Sequence, residues 1–502
     1  MNLKALFAKP YARWQIAREQ RWQRHPEATQ EKVFKHLVTT AAQTAFGQDH
    51  HFDQITSPAD FAKRVPIRDY EELKPYVERI IASEKDVLWP GVPEYLAKTS
   101  GTTSGAKYIP ITKASMAEQV KSSKMALLNY IVQRNNADYV KGKMIFLQGS
   151  PVLDKKGAIK MGRLSGISAH YLPKYLLKNR LPSYQTNIIE DWETKVEAIV
   201  EETVTQDMTL IAGIPSWVQM YFERLVARTG KKVGELFPNF SLFVYGGVNF
   251  EPYRQKFEAL IGRKVDSIEL FPASEGFFAY QDRLNEKGLL LQLNSNIFYE
   301  FVRADEFYTE NPKRLTVAEV ELDVDYALII SSNAGLWAYN IGDTVRFVSL
   351  NPYRVIVSGR LKHFISAFGE HVIAKEVEEA LSVALKEAGH GAEVVEFSVA
   401  PQVAPERPHT LPYHEWFIEF GQEPADLAAF MRAIDLSMQQ QNVYYKDLID
   451  GKILIPAVLT KVRKGGFEAF MKAEGKLGGQ NKIKRLSNDR SVADALTPFI
   501  EP

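Results

Sequence analysis

The chain opens on helical periodicity. In Glu31–Val38 and again in Thr39–Phe46 apolar residues return at steps of three and four, and the pattern breaks at Gly47-Gln-Asp-His-His51. From about Met144 short apolar runs alternate with helical stretches. Lys143–Leu147, Met208–Ile211, Leu242–Tyr245 and Val265–Phe271 read as buried strands closed by glycine or small residues. Between them, the segment bearing Ile188, Trp192, Val196, Ile199 and Val200, then Trp217–Leu225, then the stretch through Phe257 and Ile261 read as helices. Strand, small-residue turn and helix in repetition predict βα units and a largely parallel sheet. Ligands of such sheets lie beyond the carboxyl ends of the strands, so the loops that follow them are expected to converge.

The character then shifts. Val317–Leu322, Tyr326–Ser331, Leu336–Asn340 and Thr344–Val348 are β-rich and joined by short turns such as Ser332-Asn-Ala-Gly335, which predicts antiparallel hairpins. Beyond Gly359-Arg360 come a helix bearing Ile373, Val377, Leu381 and Leu385, strands at Val394–Val399 and Trp416–Phe420, a helix around Leu427–Met438, and a strand at Ile453–Leu459. These form a small α+β unit, with the boundary expected near Lys362 to Ser366. The expected fold class is α/β: a large domain, 1–365, with mostly parallel sheets and a β-rich subdomain, and a small α+β domain, 366–502.

Composition narrows the function classes. The 502 residues exceed what one compact core usually supports, which fits two unequal domains. With 62 Lys+Arg against 61 Asp+Glu the net charge is +1, which removes the bulk electrostatic case for nucleic acid or an anionic membrane as partner and leaves room for a local basic patch. There is no cysteine, so disulfides, thiolate metal sites and cysteine nucleophiles are excluded, and a reducing cytosol suits the chain. Met1 to Gln20 carries Lys4, Lys9, Arg13, Arg18 and Glu19, unlike a secretory signal. No run of about 18 uncharged apolar residues occurs. A cytoplasmic protein with no membrane, nucleic-acid or protein partner is expected.

Five segments carry candidate chemistry. Thr99-Ser-Gly-Thr-Thr-Ser-Gly-Ala-Lys107 is a run of hydroxylated residues and glycine followed by lysine. Convergent donors and close backbone approach suit a phosphate cradle, and the same composition suits a flexible loop. It is not a Walker loop, because Ala106 precedes the lysine. Leu270-Phe-Pro-Ala-Ser-Glu-Gly276 follows a predicted strand and offers a hydroxyl and a carboxylate, either to a ligand crevice or to a surface turn. A lone Glu275 is a reasonable ligand for Mg²⁺ held mainly by substrate phosphates. Tyr339-Asn-Ile-Gly-Asp343 places an acid where it accepts ribose hydroxyls or closes a hairpin. Gly359-Arg360 lies at the domain junction. Gly478-Gly-Gln-Asn-Lys482, with Lys484 and Arg485, reads as a mobile cationic loop or a basic tail. The His50-His51 pair lacks ligand spacing and reads as a surface loop.

In this order and spacing the segments resemble the adenylate-forming superfamily of acyl-CoA synthetases, adenylation domains and luciferases. More closely they resemble its auxin-responsive branch, the acyl-acid amido synthetases, in a bacterial-type form. The match rests on Thr99–Lys107, Ala273-Ser-Glu275, Tyr339–Asp343 and Gly478–Lys482, with Ala45-Phe-Gly-Gln-Asp-His50 in support. The resemblance implies that a small carboxylic acid attacks the α-phosphate of ATP to give an acyl-adenylate and pyrophosphate, and that an amino acid amine then displaces AMP. It implies ATP and Mg²⁺ as cofactors and a small domain on a hinge. Ser100, Gly101, Thr102, Thr103, Ser104 and Lys107 would hold phosphates. Gly246 and Gly247 would border the acyl site and adenine, and Ala273 and Ser274 the α-phosphate. Glu275 would bind the metal, Asp343 the ribose with Arg360 beside it, and Lys482 would be the mobile catalytic lysine. The chain departs from the superfamily at His363, where Asp is common, and at Lys484, where Pro is common. No base for the amine stands out; His371, His409 and His414 qualify by chemistry, with packing or surface roles the simpler reading. Two rivals remain at this level: coenzyme A as the acceptor, and a nucleotide-binding protein without catalysis.

Overall fold

The computed structural model describes residues 3–501 apart from 103–104, 172–177, 190, 248–249, 362–363, 371, 406–409 and 475–482. Two compact units are present, 1–247 with 256–361, and 248–255 with 362–502.

The larger unit is built on an eleven-stranded mixed sheet. One half is parallel: Arg180–Leu181, Lys143–Phe146, Met208–Ala212, Leu242–Gly246 and Asp266–Ala273 lie side by side in that order. Met208–Ile211 and Leu242–Tyr245 are buried throughout, which is why these strands read as continuous apolar runs. Helices Trp192–Thr203 and Pro215–Thr229 connect them, with Val196, Ile199, Val200, Val218, Phe222 and Leu225 turned inward. At Asp266–Ala273 the sheet changes sense. Gly276–Tyr280 returns antiparallel, and the sheet continues antiparallel through Leu289–Leu291, Tyr353–Arg360, Tyr339–Leu350, Asp325–Ser332 and Ile297–Arg303. The parallel and hairpin-rich stretches are therefore one sheet.

A second, four-stranded sheet has the order Gly105–Ile111, Tyr95–Thr102, Ile159–Gly162, Asp154–Lys156. The helical start of the chain covers the antiparallel half: helix Pro26–Ala41 lays Val33, Phe34, Leu37 and Val38 into a core with Phe46, Phe52, Phe61, Phe298 and Trp337. Among the described residues no helix is long and apolar enough to cross a membrane.

Several elements differ from their expected bounds, each for a local reason. Helix Pro26–Ala41 ends early, and Gly47 lies inside a new short helix, Ala45–Asp49, capped by the Thr44 hydroxyl. A side chain at Gly47 would fall 2.1 Å from the Ala41 carbonyl oxygen, so the glycine serves a close approach rather than a break. Only Val317–Glu319 of the predicted strand Val317–Leu322 is regular, as a 3-10 turn. Leu336, Trp337 and Ala338 form a buried turn, with Ala338 at φ +44°, and one continuous strand, Tyr339–Leu350, replaces two shorter ones.

The smaller unit holds a three-stranded sheet, Glu393–Gln402, Tyr413–Gln422 and Val458–Val462, the first pair antiparallel and the second parallel. Helices Ala374–Glu387 and Leu427–Gln441 belong to the same unit. The last strand starts later than its apolar run suggests. Ile453 and Leu454 are buried, but their N–H groups bond to Leu448 O, closing helix Val443–Asp450 instead of joining the sheet.

Candidate active site

The site lies in the larger unit, where three segments distant in sequence are tied together through the backbone. Arg68 bridges to Tyr339: its N–H donates to Ala338 O at 3.0 Å and its carbonyl accepts from Asn340 N at 2.8 Å. The next residue, Asp69, caps helix Tyr70–Ile81 by accepting from Glu71 N and Glu72 N, while Glu72 returns the bond to Asp69 N in a capping box. Tyr70 then reaches the hairpin of the second sheet, its hydroxyl accepting from Tyr108 N at 2.9 Å. That hairpin pairs Thr99 with Lys107 and Thr102 with Gly105. Segments 68–70, 105–108 and 339–343 are thereby anchored to one another.

Asp343 and Arg360 face each other on neighbouring antiparallel strands, and the Arg360 Nε donates to Asp343 Oδ1 at 2.5 Å. Gly342, at φ +87°, makes the preceding turn, with its N–H bonded to Asn340 Oδ1 and its carbonyl to Leu361 N. Ser274 and Glu275 form the two-residue turn where the great sheet changes sense, with Ala273 paired to Gly276.

Electrostatics link these groups. Lys107 and Glu275 act on each other more strongly than any other charge acts on either. Burial pushes the Lys107 ammonium below its ordinary value and the Glu275 carboxyl above its own; in each case the partner opposes the shift. Asp343 and Arg360 act on both, and Asp69 acts on Lys107. The result is a cluster of two cations and three carboxylates, in which burial works against the charges of Lys107 and Glu275. Cations of this kind suit phosphate oxygens, and a carboxylate on a strand-end turn suits a cation that a polyphosphate brings with it. No group of three His, Asp or Glu residues that could by itself hold a metal occurs among the described residues. Such a donor set fits Mg²⁺, which keeps most of its ligands from phosphate and water.

Lys107, Glu275, Asp343 and Arg360 are thus brought together, with Ala273 and Ser274 on the same turn. Ser100, Gly101 and Thr102 lie on the strand paired with that of Lys107. Gly246 pairs with Leu270 on the strand that leads to Ser274; a side chain there would meet Leu270 O at 2.5 Å, so strand packing alone calls for glycine. Gly247, at φ +83°, faces open space. Thr103, Ser104, His363, His371, His409 and Lys482 lie outside the described residues. His414 is buried in the smaller unit, with Nε2 2.8 Å from Glu370 Oε1 and its ring beside Phe368 and Tyr445, which is a packing role. His50 is more than a surface loop: it is half-buried against Phe46, with Nδ1 2.9 Å from Arg64 O and Nε2 3.0 Å from Arg68 Nη2. Asp69 also acts on Lys107, and Tyr339, the first residue of the Tyr339–Asp343 motif, bridges to Arg68, the residue before Asp69. The Asp-x-x-Glu spacing at 69–72 announces a helix cap, and nothing in it announces Lys107 as a neighbour.

The fold recurs in solved structures. The acyl acid amido synthetase AtGH3.15, solved in complex with 2,4-DB, superposes with a TM-score of 0.59 at 16% identity over 95% of this chain and 94% of its own. A 2-hydroxyisobutyryl-CoA ligase with 2-HIB-AMP and CoA superposes at 0.58, with 15% identity over 95% and 92%. Sequence separates these two classes. The GH3 family N-terminal domain matches residues 15–187, its central domain 290–360 and its C-terminal domain 375–491, so the chain belongs to the GH3 family. Indole-3-acetic acid-amido synthetase GH3.3 of Arabidopsis thaliana is 20% identical over 552 residues, 94% of this chain and 91% of its own. Jasmonoyl–L-amino acid synthetase JAR4 of Nicotiana attenuata is 20% identical over 384 residues, 63% of this chain and 66% of its own. The chain is an acyl acid amido synthetase of the GH3 type, which uses ATP to adenylate an acid and conjugates the acyl group to an amino acid.

Proposed function

We propose that the cluster around Glu275 is the nucleotide site of this synthetase, and that domains 1–365 and 366–502 divide the work, the first binding ATP and acid. The observation that carries the reading is the mutual coupling of Lys107, Glu275, Asp343 and Arg360, which four separate motifs supply. Lys107, with the hydroxyls and amides of 100–104, holds phosphate oxygens. Asp343, oriented by Arg360, accepts from the ribose hydroxyls. Gly246 and Gly247 border the acyl site and adenine, and Ala273 and Ser274 meet the α-phosphate. Glu275 holds Mg²⁺, which when bound neutralises phosphate charge.

In the first step a carboxylate oxygen of the acid bonds to the α-phosphorus as the bond to pyrophosphate breaks. Charge grows on the phosphoryl oxygens, and fixed cations stabilise that change more than they stabilise ground-state ATP. Lys482 supplies a further cation for this step. In the second step the amine nitrogen bonds to the acyl carbon, the bond to AMP breaks, and the amine gives up a proton.

Plant-hormone-like or aromatic acids are the proposed substrates, on the strength of the indole-3-acetic acid and jasmonoyl relatives and of the AtGH3.15 complex with 2,4-DB. A bacterial-type, cytoplasmic member is the proposed form, a chain without cysteine being suited to a reducing compartment. Pyrophosphate release with candidate acids, run with amino acids and separately with coenzyme A, tests the acceptor; turnover with the thiol alone rejects amide synthesis. Lys482→Ala is expected to abolish most acyl-adenylate formation, and an unchanged rate refutes its role.

A further inference from the structure

Helix Leu3–Gln23, at the start of the larger unit, is apolar on two faces. One face is covered: Ala12 and Ile16 are buried in a core shared with Met125, Ala126 and Leu128 of helix Lys113–Arg134. The other is bare. Phe7, Tyr11 and Trp14, at steps of four and three, form a stripe on it and are 67%, 40% and 58% exposed. The rings of Tyr11 and Trp14 lie side by side, their centroids 6.3 Å apart. Three aromatic side chains in a row, on a helix whose other face already serves the core, mark a surface that something else covers.

Charge on the helix is equally one-sided. Leu3–Gln23 holds five cations and one acid, a net charge of +4 in a chain whose net charge is +1. Arg18 and Arg21 continue the aromatic stripe at the next steps of four and three. Both are exposed, and neither guanidinium has a hydrogen-bond or ion-pair partner among the described residues. Lys124 flanks the stripe, its ammonium 2.5 Å from the Tyr11 hydroxyl and 5.0 Å from the ring centroid. The one acid, Glu19, is engaged elsewhere: it accepts from Asn294 Nδ2 at 2.8 Å and lies 3.9 Å from Lys121.

We infer that this face is a docking surface for an anionic lipid bilayer, against which the helix lies flat. Phe7, Tyr11 and Trp14 seat at the boundary of headgroups and hydrocarbon, where an aromatic ring buries its body and keeps its polar edge wet. Arg18 and Arg21, with Lys124 beside them, meet the lipid phosphates and carboxylates. The near-neutral charge of the whole chain argues against a general pull toward membranes and leaves this local patch untouched. A second copy of the chain suits the face poorly, because a two-fold contact sets the same patch against itself and one +4 helix against another.

Co-sedimentation of the full chain with phosphatidylcholine vesicles, made with and without phosphatidylserine, tests the inference. The parent is expected to pellet with the serine-containing vesicles, to stay in solution with phosphatidylcholine alone, and to be released by added salt. Phe7→Ala with Trp14→Ala is expected to weaken binding about tenfold or more through lost apolar contact. Arg18→Gln with Arg21→Gln is expected to weaken it by a similar factor, about tenfold, through lost attraction. All four side chains are exposed, so thermal melts of both variants should match the parent, and the charge variant carries the test should the aromatic one fail to fold. A parent that ignores serine-containing vesicles, equal binding to both vesicle types, or binding that either double variant leaves unchanged overturns the inference. So does sedimentation velocity showing a dimer that Phe7→Ala with Trp14→Ala turns into monomer, which gives the face to a second copy.

Discussion

Asp343 and Arg360 are neighbours because Tyr339–Leu350 and Tyr353–Arg360 form one hairpin, and their side chains meet at 2.5 Å. The ion pair does for Asp343 what no distant charge could: it fixes the carboxylate in one orientation while Gly342 bends the chain ahead of it. Asp343→Asn keeps the volume and loses the charge. The KM for ATP is expected to rise ~10–100-fold, the range for losing a hydrogen bond to a charged group, with the melting temperature little changed. Pyrophosphate release against ATP concentration measures the first, and a thermal melt the second.

The adjacent glycines 246 and 247 are expected to respond differently to alanine. At 246 the new carbon collides with Leu270 O, so strand pairing itself must shift, and stability and activity should fall together. At 247 nothing is struck, and the penalty is the left-handed backbone alone, about 1–2 kcal/mol. Urea denaturation of the two variants should rank Gly246→Ala well below Gly247→Ala; the reverse order contradicts the packing account.

Arg314 and Glu300 form a buried ion pair, and Arg314 also donates to Val65 O, tying the Glu300 strand to the segment before helix Tyr70–Ile81. Removing one member leaves the other charged and dry. Arg314→Ala is expected to destabilise by about 3–5 kcal/mol, read from urea denaturation. Glu300→Gln with Arg314→Met should recover much of that loss.

Glu376, in the smaller unit, is buried, and its carboxyl is raised to about 6 by that burial, against hydrogen bonds from Ile373 N and Asn442 Nδ2. The unfolded chain releases this proton nearer 4.5. The contribution is therefore fully present below about pH 4.5 and is lost as pH rises through about 6, amounting to roughly 2 kcal/mol. Denaturation midpoints at pH 4.5 and 7 should show that slope in the parent and its loss in Glu376→Gln.

The parallel strands were legible in sequence because burial on both faces writes a continuous apolar run, as in Met208–Ile211. The hairpins were legible only in outline. Leu336, Trp337 and Ala338 have strand-like chemistry but are buried as a turn, and Ile453 and Leu454 are apolar because they plug a helix end. The four-stranded sheet was not visible: exposed Asp154–Lys156 has no pattern to betray it. The family resemblance singled out Lys107, Glu275, Asp343 and Arg360, and in the structure their charges act on one another. Asp69 and Tyr339 join them through the Arg68 bridge, and a contact between residues so far apart leaves no periodic trace.

The turn bearing Ser274 and Glu275 has just two residues between directly paired strand ends, Ala273 and Gly276. A loop that short cannot lengthen without throwing Glu275 away from Lys107. Added length is better hosted by a longer connection, such as the one between Phe146 and Asp154, which joins strands of two different sheets.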